Sequence, residues 1–191
     1  ILLLSSNLFT GTLPFELGRL SQLTALTAYE NLLSGSIPSA FGAMGRLSFL
    51  EMQTNSLSGS FPSELGLLSE LEFIDMDSNV LSGPLPDTLG GLAKLVQIQL
   101  NNNLLTGSVP LSLALCTTLA GLSLSGNSLS GTLPAFVNDL LHLNYIFISS
   151  NRLSGTLPDM DRLRVLQYFL ASDNQFTGEL PTSLPGAFTL Q

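Results

Sequence analysis

Apolar and polar residues follow a pattern along this chain that returns every 24 residues. Apolar side chains stand eight, five and three residues before a recurring asparagine, as Leu95, Ile98 and Leu100 do before Asn103. The last two of these positions alternate with outward positions, which is the period of a half-buried β-strand. Each repeat is therefore predicted to contain a short strand that ends at its asparagine.

Three columns of identical residues fix the length of the repeat. The asparagines are Asn7, Asn31, Asn55, Asn79, Asn103, Asn127, Asn151 and Asn174, spaced by 24 residues six times and then by 23. A glycine follows each of them by four residues and a proline by seven. A repeat of this length buries its apolar side only against neighbouring copies, so the predicted fold is a solenoid. One residue is missing after Pro158, and Met160 is expected to fill the slot that Val137 holds one repeat earlier.

The second half of each repeat predicts two further features. Apolar residues recur two and six residues after the asparagine, as at Leu105 and Val109, with Ser or Thr facing outward between them. This favours a second extended segment, which the proline ends because it cannot donate to a strand ladder. Leucines ten and thirteen residues on, such as Leu65 and Leu68, suit a short helical or 3₁₀ turn. The asparagine amides are expected to bond backbone groups in the turn and to form a ladder along the solenoid.

The whole pattern, Leu-x-x-Leu-x-x-Leu-x-Leu-x-x-Asn-x-Leu-Ser-Gly-x-Ile-Pro-x-x-Leu-Gly-x-Leu, resembles the plant-type leucine-rich repeat. Residues 23–38 and 71–86 match most of its fixed positions. The resemblance implies an α/β solenoid that forms a single domain over residues 1–191. It further implies a right-handed superhelix of eight 23–24-residue repeats, with a parallel β-sheet on the concave face and short 3₁₀ or helical turns on the convex face.

The family that this chain resembles includes ectodomains of receptor-like kinases and receptor-like proteins, and polygalacturonase-inhibiting proteins. The resemblance implies a non-catalytic binding module that is extracellular or at the cell surface. The chain begins within a repeat and lacks an initiating Met and the cysteine-paired caps of the family. We therefore expect it to be an excerpt of a longer protein, with residues 1–4 forming a strand rather than a targeting segment.

Charge and composition exclude several functions. The net charge is −8 with only six basic residues, which argues against nucleic acid or an anionic membrane surface and permits a basic partner. No apolar run is long enough for membrane insertion within the chain. One cysteine and one histidine cannot form a disulfide or a zinc site, so neither a metal nor a cofactor is expected. Cys116 is expected to be a buried hydrophobe, and His142 to be structural rather than catalytic.

The outward face of the first strand is the predicted binding surface. Its side chains stand six, four, two and one residues before each asparagine, and they include an acidic cluster with two phenylalanines and, further on, an aromatic patch. The predicted ligand-binding residues are Tyr29, Glu30, Phe49, Glu51, Phe73, Asp75, Asp77, Tyr145, Phe147 and Tyr168. Exposed aromatic and charged side chains suit partner binding, and no Arg or Lys lies on this face. The predicted partner is a protein or peptide, extended or basic.

Two alternative functions remain open at this point. The outward hydroxyl groups of the second segment resemble the flat Ser/Thr arrays of ice-binding proteins, some of which use leucine-rich repeats. The residues of this alternative are Thr10, Thr12, Ser34, Ser36, Ser58, Ser60, Thr106, Ser108, Ser130, Thr132, Ser154 and Thr156. Pro84 and Glu179 interrupt the array, and Ser at these positions also follows the ordinary repeat consensus. The other alternative is a secreted inhibitor of a cell-wall-degrading glycosidase.

Overall fold

The chain forms a solenoid of short strands and 3₁₀ segments. The structure is a computed structural model and describes residues 1–181; residues 182–191 of the predicted domain lie outside the described part. The strands are β1 (Leu2–Leu3), β2 (Thr10–Thr12), β3 (Ala25–Thr27), β4 (Leu32–Ser36), β5 (Phe49–Glu51), β6 (Ser56–Ser60), β7 (Phe73–Asp75), β8 (Val80–Pro84), β9 (Gln97–Gln99), β10 (Leu104–Gly107), β11 (Gly121–Ser123), β12 (Ser128–Gly131), β13 (Tyr145–Phe147), β14 (Arg152–Gly155), β15 (Tyr168–Leu170) and β16 (Gln175–Phe176). The 3₁₀ segments are Phe15–Arg19, Ser39–Ala43, Ser63–Leu67, Asp87–Gly91, Leu111–Leu115 and Ala135–Asp139.

The strands form two parallel sheets that run the length of the solenoid. The odd-numbered strands make one sheet in chain order, here called the concave sheet, and the even-numbered strands make a second, the lateral sheet. In the concave sheet equivalent residues of neighbouring repeats pair, as Leu50 does with Ile74. In the lateral sheet Gly59 pairs with Leu81, so each repeat is staggered by two residues against the next. The predicted second extended segment is confirmed as a strand.

The core is made of stacked leucine columns, as predicted. Leu65, Leu68, Leu71, Ile74 and Met76 have no solvent exposure, and their equivalents in neighbouring repeats continue each column. Because neither edge of one repeat is closed by itself, each repeat completes the core of the previous one.

The residues expected to fill irregular core positions are buried. Cys116 is fully buried, and burial raises the pKa of its thiol to about 11, so it is inert near neutral pH. Met160 is also fully buried, in the slot equivalent to that of Val137. Its repeat has no 3₁₀ segment among the described residues. In place of one, the side chain of Asn138 donates to Asp161 at 2.8 Å and accepts from the backbone N–H of Arg162 at 3.0 Å.

The asparagines form the predicted ladder, and each one joins two repeats. The Nδ2 of Asn103 donates to the carbonyls of Leu100 and Asn101 in its own repeat and to that of Met76 in the previous one. Its Oδ1 accepts from the N–H of Leu81 at 2.9 Å, also in the previous repeat. The same arrangement recurs from Asn31 to Asn174, whereas the first asparagine bonds only carbonyls of its own repeat. Buried backbone groups of the turn are thereby satisfied.

Asn103→Ala is expected to lower the free energy of unfolding by at least about 2 kcal/mol, because it leaves several buried backbone groups without a partner. Asn7→Ala is the matched control, since Asn7 is exposed and has no bond to a preceding repeat. Urea unfolding followed by circular dichroism measures both variants. Equal losses for the two would contradict a role for the inter-repeat bonds.

Candidate binding face

The outward side chains of the concave sheet form two blocks of four, each made by two neighbouring strands. Register places Phe49 beside Phe73 and Glu51 beside Asp75, on β5 and β7. We call these four residues the acidic block. It also places Tyr145 beside Tyr168 and Phe147 beside Leu170, on β13 and β15. We call this second set the aromatic block. The strands β9 and β11 lie between the two blocks.

The acidic block combines an aromatic pair with an unpaired carboxylate. The rings of Phe49 and Phe73 lie 6.3 Å apart in a tilted arrangement, and Phe49 is 42% exposed. The side chain of Glu51 is half-buried and makes no hydrogen bond or ion pair within residues 1–181. This carboxylate is available to a cationic group that approaches over the rings.

Two of the predicted ligand-binding carboxylates also have a structural role. Asp75 Oδ1 accepts from the N–H of Asp77 at 3.0 Å. Asp77 accepts from both the backbone N–H and the side-chain amide of Asn101, at 2.6 and 2.9 Å. The exposure expected for Asp75 is not observed, because it is only 8% exposed. A carboxylate here satisfies a backbone N–H that the strand ladder leaves unpaired.

Burial also shifts the titration of these carboxylates. The pKa of Asp75 rises to about 6, chiefly because burial disfavours the charged form; the charges of Asp77 and Glu51 add to this, and the N–H of Asp77 opposes it. Burial likewise raises the pKa of Asp77, against its hydrogen bonds from Asn101. The acidic block therefore carries its full negative charge only above about pH 6.

The aromatic block reaches over the neighbouring strand β11 through the ring of Tyr145. The rings of Tyr145 and Phe147 stack with centroids 4.9 Å apart. A Cβ built on Gly121 would lie 2.1 Å from Cζ of Tyr145, so the tyrosine ring occupies the space that a side chain would need. Gly121 is buried and Ser123 is only 2% exposed.

The Tyr145 ring lies over β11, on the side of the aromatic block that faces the acidic block. Burial raises the pKa of Tyr145, and the negative charges of Asp77 and Asp75 raise it further. Sequence spacing had treated the acidic cluster and the aromatic patch as separate. The Tyr145 ring extends over β11 toward the acidic block because Gly121 has no side chain to keep it away.

The remaining predicted residues lie toward the first repeats. Tyr29 is half-buried, and Glu30 is exposed and accepts from the hydroxyl of Ser6 at 2.8 Å. Glu30 adopts a left-handed backbone with φ of 53°. No Arg or Lys occupies an outward position of the concave sheet within residues 1–181. The ion pairs between Lys94 and Glu70 and between Arg162 and Asp139 lie away from that face.

The hydroxyl residues of the ice-binding alternative lie along the lateral sheet. Most are exposed, whereas Ser34, Ser58 and Ser154 are half-buried. Ser108, Thr132 and Thr156 lie just beyond the ends of their strands. Because of the two-residue stagger, the rows of equivalent Ser and Thr residues from successive repeats run obliquely across the sheet. Exposed aliphatic side chains interrupt the rows that pair across strands, as Leu104 does beside Ser82.

Other site chemistries find no support in the described part of the chain. Within residues 1–181 no three His, Cys, Asp or Glu side chains come together in a way that could hold a metal ion. His142 is exposed, and its Nδ1 lies 3.0 Å from the carbonyl of Thr117. None of the described helical segments is long and apolar enough to cross a bilayer.

Comparison with known proteins identifies the family. A family model described as Leucine Rich Repeat matches residues 70–92 and 118–140. The leucine-rich-repeat ectodomain of the Arabidopsis thaliana membrane receptor kinase GASSHO1/SCHENGEN3, in complex with CASPARIAN STRIP INTEGRITY FACTOR 2, superimposes with a TM-score of 0.88 at 40% identity over 91% of this chain. The chain is a plant-type leucine-rich-repeat protein.

Two further structures bear on the function of this leucine-rich-repeat chain. The Arabidopsis receptor kinase HAESA, in complex with the peptide hormone IDA and the co-receptor SERK1, is 36% identical over 92% of the chain, with a TM-score of 0.89. A plant ice-binding protein is 29% identical over 91% of the chain, with a TM-score of 0.68. The chain spans 21% of the GASSHO1/SCHENGEN3 structure, 30% of the HAESA structure and 64% of the ice-binding protein. No curated protein matches it significantly.

Sequence reasoning missed one regular feature of these repeats. The residue before each asparagine has a left-handed backbone, as Asn102 does with φ of 53° and Gly126 with φ of 67°. Gly126, the one glycine at the position before the asparagine, was the sequence signal for this conformation, since glycine adopts it without strain. The position of Tyr145 over Gly121 was also missed, although a glycine paired across the sheet with a large aromatic residue indicates such a contact.

Asp75→Asn is expected to stabilise the protein at pH 7 by roughly 2 kcal/mol, because the fold disfavours the charged carboxyl. The folded state holds the proton up to about pH 6, whereas the unfolded state loses it near pH 3.8. The free energy of unfolding of the parent should therefore fall as pH rises from about 4 to 6, and the advantage of the variant should vanish below that window. Thermal unfolding at a series of pH values measures this. A constant difference at all pH values would contradict the assignment.

Proposed function

We propose that this leucine-rich-repeat region is a non-catalytic binding module that recognises an extended protein or peptide segment with basic character on its concave sheet. The observation that carries the proposal is the carboxylate of Glu51, which has no partner within residues 1–181. It lies beside the exposed Phe49, on a face to which that part of the chain contributes no Arg or Lys. Exposed aromatic side chains supply contact area, and the carboxylates supply charge complementarity to a cationic ligand.

The shape of the face supports an extended ligand. Its outward side chains lie on parallel strands about 4.8 Å apart and follow the solenoid axis. At the position two residues before each asparagine, exposed or half-buried side chains continue from Tyr29 on the second repeat to Ser172 on the eighth. A segment lying along the axis would contact several repeats at once, which a compact small molecule would not do.

The comparisons support the same class of function and an extracellular or cell-surface location. The GASSHO1/SCHENGEN3 and HAESA structures are ectodomains or complexes of plant membrane receptor kinases, and HAESA was solved with a peptide hormone. Because this chain spans less than a third of either structure, its own ligand is inferred here from its side chains rather than from theirs.

A library of displayed random twelve-residue peptides provides a ligand for the first test. Peptides selected on this chain should be rich in Lys and Arg, and Glu51→Gln should weaken their binding on the order of tenfold, about 1.4 kcal/mol. Raising the salt concentration from about 0.05 M to about 0.5 M should weaken it further, because exposed charges are screened. Isothermal titration calorimetry with resynthesised peptides measures both effects.

Glu16→Gln is the matched control, since it removes the same charge from the exposed 3₁₀ segment Phe15–Arg19, away from the concave sheet. Its affinity for the peptides should equal that of the parent. If Glu51→Gln and Glu16→Gln weakened binding equally, the ligand would be responding to net charge, and the concave site would be refuted.

The lateral sheet supports a second candidate function, the binding of ice. Its exposed hydroxyl groups and the similarity to a plant ice-binding protein favour it. The oblique stagger and the exposed side chains of Leu32, Val80 and Leu104 weigh against it, because ice binding relies on a flat and regular array.

Thermal hysteresis and ice-recrystallisation assays separate the two functions. A peptide-binding module should show no activity in either assay at millimolar concentration, and Ser60→Asp in the lateral sheet should change nothing. Measurable hysteresis that Ser60→Asp removes would instead establish the second function.

A further inference from the structure

The concave sheet offers two chemically different ends to one ligand. The acidic block lies on β5 and β7, and the aromatic block lies on β13 and β15. Their centres are four strand spacings apart, which is about 19 Å at the usual distance between strands. An extended chain covers that distance in about six residues.

The acidic end suits a cationic side chain. The rings of Phe49 and Phe73 form a surface on which an ammonium or guanidinium group is attracted to the ring faces. Glu51 on the same strand supplies a carboxylate that has no partner among the described residues. Because the carboxylate and the rings adjoin, one side chain can use both.

The opposite end suits an apolar side chain. The outward positions of β13 and β15 carry Tyr145, Phe147, Tyr168 and Leu170, none of which is charged. Tyr168 is 48% exposed, and Leu170 is half-buried beside it. A cation placed here would lose hydration without gaining a carboxylate from these strands, whereas an aromatic or aliphatic group would bury apolar surface.

The region between the two ends suits a peptide backbone. Gln97 and Gln99 are half-buried amides on β9 whose side chains can donate and accept at once. On β11, the Tyr145 ring covers Gly121 and Ser123 is buried, which leaves little room there for a large side chain. The middle of a ligand would therefore carry small or solvent-facing residues.

We propose that the concave sheet selects a peptide in which a Lys or Arg is separated from an apolar residue by about six positions, the cation seated at Phe49, Phe73 and Glu51 and the apolar group at Phe147, Tyr168 and Leu170. This inference rests on the proposed function and adds the spacing and the nature of the two anchor residues. Neither block fixes the direction of the peptide along the solenoid axis, so the cationic anchor can precede or follow the apolar anchor in the peptide sequence.

The test uses the same displayed library of random twelve-residue peptides, selected in parallel on the parent, on Glu51→Gln and on Tyr168→Ser. Peptides enriched on the parent should combine a Lys or Arg with an apolar residue five to seven positions away. Peptides selected on Glu51→Gln should no longer be enriched in Lys or Arg but should keep the apolar residue. Peptides selected on Tyr168→Ser should keep the Lys or Arg but lose the enrichment in the apolar residue. Phe15→Ser, which removes an exposed aromatic side chain from the 3₁₀ segment Phe15–Arg19 away from the concave sheet, is the matched control and should leave the spacing unchanged.

A double-mutant cycle gives the decisive measurement. One selected peptide is resynthesised with its apolar anchor replaced by Ser, and with its two anchors moved to adjacent positions at constant composition. The parent should bind the rearranged peptide at least tenfold more weakly than the original peptide. The peptide whose apolar anchor is replaced by Ser should bind the parent and Tyr168→Ser with equal affinity. If the rearranged peptide bound as well as the original while Glu51→Gln still weakened both, the spacing would be refuted and the proposed function would stand. If the selected peptides were insensitive to both Glu51→Gln and Tyr168→Ser, the inference and the proposed function would fail together.

Discussion

The asparagine ladder is the interaction on which the solenoid depends. An amide side chain is suited to this position because it both donates and accepts, and here it bonds carbonyls on two repeats while accepting an N–H from the earlier one. Neither aspartate nor leucine offers that combination. Leucine columns supply the burial, but the hydrogen bonds fix the turn that brings each strand back into register. The outward positions of the concave sheet are consequently free to vary in chemistry, and the proposed binding face lies there.

The face shows a conflict between structure and recognition. Asp75 and Asp77 satisfy backbone N–H groups of the sheet, so they are less available to a ligand than Glu51 is. Burial raises the pKa of both aspartates, and the cost of holding their charge lowers stability near neutral pH. A partner that neutralised this charge would return part of that free energy. The negative charge on this face therefore destabilises the free protein, and a bound cationic ligand would reduce that cost.

Most of the fold followed from periodicity, because each column of the repeat has one physical role. The strand that precedes Asn103, the buried slot of Met160 and the buried Cys116 were all predictable from spacing alone, although that strand ends at Gln99 rather than at the asparagine. What spacing could not supply was contact between repeats: the two-residue stagger of the lateral sheet, the burial of Asp75, and the ring of Tyr145 over Gly121. These depend on side-chain direction and on the size of neighbours across the sheet. The structure places the predicted site residues along the concave sheet, and both the site and its ligand stay predictions.

The buried thiol of Cys116 gives this solenoid a built-in reporter of its own opening. It is the only cysteine in the chain, it stands in the fifth of eight repeats, and it has no solvent exposure in the folded state. A thiol reagent therefore reacts only with molecules whose middle repeats have separated, while fraying of either end passes unseen. Repeat arrays open by local steps rather than all at once. The alkylation rate of the Cys116 thiol thus reports local opening of the middle repeats separately from fraying of the terminal repeats. No label has to be introduced.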